Sequence, residues 1–160
     1  MEEELIEVKI GALIMDPNTN TPIVVLKGVE SEAVLPIWVG SFEANAIALE
    51  IEKVVPERPM THDLLRNAIL EFGLSAARVI ITDLLENTFY ARIELTDETG
   101  EPVMLDSRPS DAVALALRLD CPIYVSPAVL ELSARDVTPS PDIDLEDSTT
   151  LTEDWPDLIG

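Results

Sequence analysis

The stretch "DSRPSDAVALALRLDCPIYVS", residues 106–126, predicts a helix between two strands. Pro109 suits the first turn of a helix because its φ angle is already helical and its missing N–H has no partner there. We expect this helix to run from Ser110 to Leu119 and the segment "PIYVS" to form the next strand. Strand, helix and strand in this order form a crossover unit. The stretch therefore indicates a helix packed on a sheet.

Strand patterns occur on both sides of this stretch. The even positions from 6 to 14 are apolar, a period of two that is typical of a half-buried strand. The segments "IVVLKGV" and "AVLPIWVG" predict two more strands, and "ARVIITDLL" with "TFYARIELT" predicts a hairpin. In its second arm we expect four inward side chains: Phe89, Ala91, Ile93 and Leu95. With "VMLDS" and "PIYVS" the sequence predicts about seven strands.

Two further segments have the helical period. In "SFEANAIALEIEKVV" a stripe of Ala44, Ile47, Ala48 and Ile51 predicts the first helix, with Ser41 as its N-cap. The second is expected from Thr61 to Phe72, with Gly73 after its end. Its predicted inward side chains are Leu64, Leu65, Ala68, Ile69 and Phe72.

Together these segments predict an α+β fold: a mixed β-sheet of about seven strands with three main helices. One compact domain is expected over residues 1–135. Residues 136–160 hold eight acidic residues and no basic one, and they lack a core period. We interpret them as an acidic C-terminal tail that could recruit a basic partner.

The composition limits the classes of protein to consider. The chain has 31 acidic and 10 basic residues, a net charge of −21, which repels nucleic-acid phosphates. A single cysteine, Cys121, excludes an internal disulfide and a cysteine-based zinc cluster. No secretory signal or membrane-length apolar run is present in the sequence. We therefore expect a cytoplasmic protein that does not associate with membranes.

An Arg-Pro pair precedes each of two predicted helices. Because proline favours extended geometry in the residue before it, Arg58 and Arg108 are expected just outside these helices. One interpretation is ordinary capping, with Thr61 and Ser110 as N-caps. The other is an anion site, because free N–H groups at helix starts and a guanidinium both favour a bound anion.

Several residues near these helix starts could carry chemistry. His62 is the chain's single histidine, the residue type that titrates near neutrality and serves in acid–base catalysis. Carboxylates are natural ligands of Mg²⁺ and Mn²⁺. The candidate catalytic residues are Arg58, His62, Asp63, Arg108, Ser110 and Asp111, and the candidate metal ligands are Glu43, Asp63, Asp106 and Asp111.

The motifs "LPIWVGSFEANAIALEIE", "RPMTHDLL", "TFYARIEL" and "DSRPSDAVALALRLDCPIYVSPAVL" resemble the bifunctional nuclease domain family over roughly residues 5 to 132. The resemblance implies a compact α+β fold, a homodimer, and activity toward both DNA and RNA, so nucleic acid enters as a partner against the charge balance. Its motifs match this sequence at Glu43, Arg58, Pro59, Thr61, His62, Asp63, Phe89, Tyr90, Asp106, Arg108, Pro109, Ser110 and Asp111.

Three functions remain open from the sequence. The first is a metal-assisted nuclease, in which Mg²⁺ or Mn²⁺ bridges carboxylates to the scissile phosphate. The second is a non-catalytic dimeric interaction module with capped, ion-paired helix starts. The third is a sensor of a small anion or nucleotide. Convergence of the four carboxylates on one cleft would favour the first, whereas separate, buried Arg–Asp pairs would favour the second.

Overall fold

The computed structural model describes residues 4–136. The predictions for the acidic tail and its basic partner, from residue 137 onward, lie outside the described residues. The elements are β1 (Ile6–Met15), β2 (Pro22–Gly28), β3 (Val34–Trp38), α1 (Ser41–Ile51), α2 (Thr61–Glu71), β4 (Ser75–Leu85), β5 (Thr88–Thr96), β6 (Pro102–Ser107), α3 (Pro109–Leu119), β7 (Ile123–Val125) and α4 (Pro127–Asp136).

The seven strands form one mixed sheet in the order β3-β2-β1-β7-β4-β5-β6. β7 pairs in parallel with β4 and antiparallel with β1, so it joins the two antiparallel halves of the sheet. The chain reaches β7 from the edge strand β6 through α3, which confirms the predicted crossover. The α+β fold with a mixed sheet is confirmed.

The structure adds a fourth helix to the three that the sequence predicted. α4 starts at Pro127, and the Ser126 carbonyl accepts hydrogen bonds from the N–H groups of Val129 and Leu130. Serine followed by proline is a common helix start. Val129 is buried in the main core, so the helix is anchored by packing.

The main core lies between the sheet and the helices. α3 packs on β4 and β5, and both α1 and α2 pack on α3. Ala44, Ile47 and Ala48 on α1 are buried, as are Ala91 and Ile93 on β5, as predicted. α3 has buried side chains over most of its length, which makes it the central helix of the domain.

A β-bulge changes the predicted alternation in β1. Ile10 pairs with Leu26 but Ala12 pairs with Val25, so Gly11 is the extra residue. Val8 and Leu13 consequently belong to the main core, whereas Ala12 packs in a smaller cluster with Ile23 and Val25. The even positions after the bulge therefore leave the face that the sequence pattern assigned to them.

The prediction that the apolar stripe of α2 is buried is wrong for most of its residues. Ile69 is buried, but Leu64 is 63% exposed, Leu65 41% and Phe72 80%. The helical period of these residues is real, yet α2 packs on α3 through one narrow side and leaves the rest of the apolar stripe uncovered. Period alone shows which residues share a face and not whether another element covers it.

The predicted N-caps Ser41, Thr61 and Ser110 are also wrong. Each of the three lies inside its helix, and the capping positions are Gly40, Met60 and Arg108. In α3 the cause is Pro109, which takes the first helical position and moves the cap to the preceding residue. Arg108 is extended there, with φ −73° and ψ 148°, as predicted for a residue before proline.

Within residues 4–136, no helix is long and apolar enough to cross a membrane.

Candidate active site

An open cleft of about 960 Å³ lies between the starts of α1, α2 and α3 and the end of the sheet formed by β5 and β6. Five of the predicted site residues line it: Glu43, His62, Asp106, Arg108 and Asp111. Its floor is apolar, with Ile93, Leu105 and Leu115 among its side chains. The fold therefore brings the two Arg-Pro helix starts to the same region.

A chain of polar contacts crosses the cleft. Arg108 donates from Nη2 to Glu43 Oε1 at 2.8 Å and from Nε to Asp111 Oδ2 at 2.8 Å. The other oxygen of Asp111 lies 2.8 Å from His62 Nε2. The order Glu43–Arg108–Asp111–His62 thus links the first turns of α1, α3 and α2. Three separate helices are needed to assemble it.

The charged groups that make these polar contacts stabilise one another. Hydrogen bonds from Arg108 to Asp111 and to Glu43 raise the pKa of the guanidinium, so it stays a cation under all ordinary conditions. Arg108 is nevertheless 65% exposed, and its two carboxylate partners are mostly buried. The guanidinium therefore presents an open side to the cleft while its Nε and one terminal nitrogen are held.

The position of Glu43 depends on Gly40. A Cβ at residue 40 would collide with Glu43 Oε2. The carboxylate consequently folds back over the start of α1, where Gly40 is the capping residue. This location brings Glu43 within reach of Arg108 and also places a negative charge at the positive end of the helix dipole.

Asp63 belongs to a different cluster, below the cleft. Its Oδ2 accepts the Met60 N–H at 2.9 Å, and its Oδ1 accepts from Arg118 Nε at 2.9 Å. Burial raises the pKa of Asp63, but the bonds from Met60 and Arg118 outweigh it, and the pKa lies below its usual value. Asp63 is therefore an ionised structural carboxylate.

Arg118 is the residue of this region that the sequence analysis missed. Its side chain is 4% exposed, and besides Asp63 it bonds the carbonyl oxygens of Ala46 and Ala114 at 2.9 Å each. It ties together α1, α2 and α3. A signal was present in the sequence, because Arg118 follows Asp111 by seven residues and so lies on the same face of α3.

The remaining predicted residues lie outside the polar chain. Ser110 is buried and does not line the cleft, and Arg58 is exposed and does not line it either. Asp106 borders the cleft, but it pairs with Arg92 across β5 and β6, whereas Leu105 pairs with buried Ile93. Its side chain is therefore on the sheet face away from the core.

The four predicted metal ligands do not meet in one place. Glu43 and Asp111 both face Arg108, Asp63 faces Arg118, and Asp106 is on the other side of β6. Over residues 4–136, no three His, Cys, Asp or Glu side chains are grouped as a metal ion would require. As arranged here, these donors do not fit Mg²⁺ or Mn²⁺, and the metal stays a prediction from the sequence.

The polar chain can support acid–base chemistry. If Nε2 of His62 carries the proton and donates to Asp111, then Nδ1 has a free lone pair and can accept a proton. No residue in the described part of the chain hydrogen-bonds that nitrogen. Asp111 fixes the ring in place, and Arg108 lies on the other side of the same carboxylate. A base and a cation are thus held together at one cleft.

Comparison with known proteins gives this cleft a family context. The sequence model of the bifunctional nuclease domain matches residues 24–138. An uncharacterised protein of Mycobacterium tuberculosis (strain H37Rv) is 40% identical over 148 residues, covering 92% of this chain and 86% of that protein. Bifunctional nuclease 1 of Oryza sativa subsp. indica is 27% identical over 98 residues, and bifunctional nuclease 2 of Oryza sativa subsp. japonica 32%. These matches cover about 60% of this chain and 30% of each rice protein. The chain belongs to the bifunctional nuclease domain family.

Proposed function

We propose that this protein is a nuclease that hydrolyses phosphodiester bonds at the cleft between α1, α2 and α3. The single observation that carries the proposal is the contact of 2.8 Å between His62 Nε2 and Asp111 Oδ1, beside Arg108. The rice relatives named as bifunctional nucleases support the reaction class. Activity toward both DNA and RNA is proposed from the same family membership.

The residues of the polar chain have distinct roles in this proposal. His62 accepts a proton at Nδ1 from the attacking water or hydroxyl group, whose oxygen bonds to phosphorus. The bond from phosphorus to the leaving oxygen breaks, and that oxygen takes a proton from solvent. Arg108 donates to the non-bridging oxygens, where negative charge increases in the transition state. Asp111 orients the imidazole and stabilises its protonated form, while Glu43 holds Arg108.

Assistance by Mg²⁺ or Mn²⁺ remains a separate proposal, and no step above depends on it. Carboxylates bound to arginine would have to change partners before they could ligate an ion. Cleavage that continues in a chelator would support the residue-only scheme, and cleavage that requires added metal would contradict that scheme and support the metal proposal.

The test is cleavage of labelled RNA and DNA by purified protein, with Mg²⁺, Mn²⁺ or chelator. We expect His62→Gln to lower the rate by about 100-fold or more, the usual contribution of a positioned acid or base. Asp83→Asn is the matched control, because Asp83 is an exposed carboxylate on β4 that does not line the cleft. Equal rates in wild type and His62→Gln would refute the proposal.

The homodimer is also a proposal. It is supported by the uncovered apolar side of α2, where Leu64 is 63% exposed and Phe72 80%. A second copy would present the same side, so one two-fold contact could bury both at once. Light scattering after size exclusion tests it: we expect a dimer that Leu64→Glu converts to a monomer. A monomeric wild type would refute the dimer.

A cytoplasmic location is proposed from the sequence alone.

A further inference from the structure

The cleft offers a nucleic acid very little positive charge. Of the arginines that line it, Arg108 is 65% exposed, whereas Arg118 is 4% exposed and already bonded to Asp63. Two carboxylates, Glu43 and Asp111, border the same space. Proteins that hold a duplex by its backbone neutralise several phosphates at once with lysine and arginine. This cleft has an exposed guanidinium for one phosphate.

The surface beyond the cleft does not supply the missing cations. The whole chain has 31 acidic residues against 10 basic ones. Arg92 lies on β5, but it pairs with Asp106 on the far face of the sheet and is bonded to Glu94. Outside the cleft Arg58 is one exposed cation, but the chain as a whole carries far more negative than positive charge, so a long strand would meet net repulsion.

Aromatic surface is present where cations are lacking. Phe42, in the first turn of α1, is 81% exposed and lines the cleft. Phe89 also lines it, and it shares a face of β5 with Ala91 and Ile93, the face toward the core. A phenyl ring stacks on any nucleobase, and each stacked base adds binding energy that does not depend on charge. Bases within a duplex are already stacked and cannot make this contact.

The volume of the cleft suits a small ligand. Its volume of about 960 Å³ is comparable to clefts of ~300–1,000 Å³ that enclose drug-sized molecules. This space suits a few nucleotides and not a helical turn of duplex. The charge, the aromatic surface and the volume of the cleft therefore all favour a short single-stranded ligand over a duplex.

We propose that the substrate is the end of a single strand or a short oligonucleotide of two to a few nucleotides, held by one phosphate at Arg108 and by a base stacked on Phe42. The inference rests on the proposed function for the reaction and adds the substrate class. Binding then depends on stacking more than on charge. Length beyond the cleft adds no affinity.

The dependence of binding on salt distinguishes this mode from backbone tracking. Each phosphate contact of a single strand contributes a slope of about −0.7 in a plot of log affinity against log salt. One contact predicts that affinity falls by about threefold between ~50 and ~200 mM salt. A strand that tracked six or more basic residues would lose roughly a hundredfold or more over the same range.

The experiment is calorimetric titration of the full chain with phosphorothioate-linked probes, which keep their charge and resist hydrolysis. The probes are a dinucleotide, a single strand of about 20 nucleotides and the matching duplex, each at low and high salt. We expect the dinucleotide and the long strand to bind within about threefold of each other, with shallow salt dependence, and the duplex to bind at least about tenfold more weakly.

Two phenylalanine variants sharpen the test. Phe42→Ala should weaken dinucleotide binding by about fivefold or more, the loss expected for one stacked base. Phe72→Ala is the matched control, since Phe72 is 80% exposed and lies at the far end of α2, outside the cleft. It should bind like the wild type.

Three results would overturn the inference: no dinucleotide binding, affinity that rises steeply with strand length, or equal binding by wild type and Phe42→Ala. Cleavage of the same sequences with ordinary linkages separates this inference from the proposed function. Short strands that bind as expected but stay intact would refute the nuclease while leaving the binding mode supported. Cleavage combined with affinity that grows with length would refute the substrate class alone.

Discussion

The starts of α2 and α3 are similar in sequence, but their first-turn aspartates have different roles. Each begins at or shortly after the proline of an Arg-Pro pair and has an aspartate in its first turn, Asp63 in α2 and Asp111 in α3. Asp63 bonds the Met60 N–H and the nearly buried Arg118. Asp111 bonds His62 and the exposed Arg108 at the cleft. One aspartate holds helices together, and the other belongs to the site.

The difference shows that a local motif determines a helix start but not the partners of its side chains. Pro109 is the first residue of α3, so Arg108 is its cap and lies one turn from Asp111. In α2 the cap is Met60, and Arg58 lies further from the helix, exposed and outside the cleft. A shift of two residues relative to the proline therefore separates a site arginine from a surface one.

The largest expected effect on stability is at Asp63. Asp63→Asn leaves the 4%-exposed Arg118 without its carboxylate, and removing one member of a buried pair costs roughly 3 kcal/mol. Asp111→Asn should cost less than about 1 kcal/mol, because solvent can hydrate the exposed Arg108. Urea unfolding of both variants measures the difference. Equal losses would mean that the two aspartates have the same structural role.

A pH series tests the same contrast. The pKa of Asp63 lies below its ordinary value of 3.8 in the folded protein, so its ionised form stabilises the fold. This contribution is complete above the unfolded pKa and is lost as the pH falls through the lower folded pKa. The difference in unfolding free energy between wild type and Asp63→Asn should therefore be constant from neutral pH to about 4 and shrink below it. A difference that grows on acidification would contradict the assignment.

A smaller effect is expected at Gly40, on the other side of Arg108. Gly40→Ala should displace the Glu43 carboxylate and release one contact of Arg108, and we expect cleavage to slow by about tenfold, equivalent to ~1.4 kcal/mol. In a Glu43→Ala background the same substitution should have little effect, because the displaced group is gone. Additive losses in the double variant would show that Gly40 acts through something other than Glu43.

The smallest effect is expected at Arg58. It is exposed and makes no ion pair among the described residues, so Arg58→Ala should change the unfolding free energy by less than about 0.5 kcal/mol. Its cleavage rate should match the wild type, whereas Arg108→Ala should be strongly impaired. A large loss of cleavage in Arg58→Ala would restore it to the site.

Much of the fold was predictable because its signals are local. The alternation of β5, the proline at the start of α3 and the crossover to β7 all come from neighbouring residues. The uncovered side of α2 was not predictable, since Leu64 and Phe72 have the period of a buried stripe and only the tertiary arrangement leaves them exposed. The bulge at Gly11 likewise changes faces without changing the pattern.

The residues of the site could be predicted, but the contacts between residues on distant elements could not. The types of residue at the helix starts indicated polar chemistry, and five of the predicted residues do line one cleft. Their pairing depends on contacts 49 to 65 residues apart, such as His62 with Asp111 and Arg108 with Glu43. Arg118 was missed because its spacing of seven residues from Asp111 indicates only a shared face of α3, and not that the side chain links three helices.

The most direct test of the central claim is the cleavage rate of Asp111→Asn beside that of Arg58→Ala, with RNA and DNA substrates and equal amounts of folded protein. We predict a loss of about 100-fold or more in Asp111→Asn, because the imidazole of His62 loses its orienting carboxylate, and no loss in Arg58→Ala. Cleavage by Asp111→Asn at the wild-type rate would contradict the claim that the polar contacts linking Glu43 to His62, through Arg108 and Asp111, form the active site.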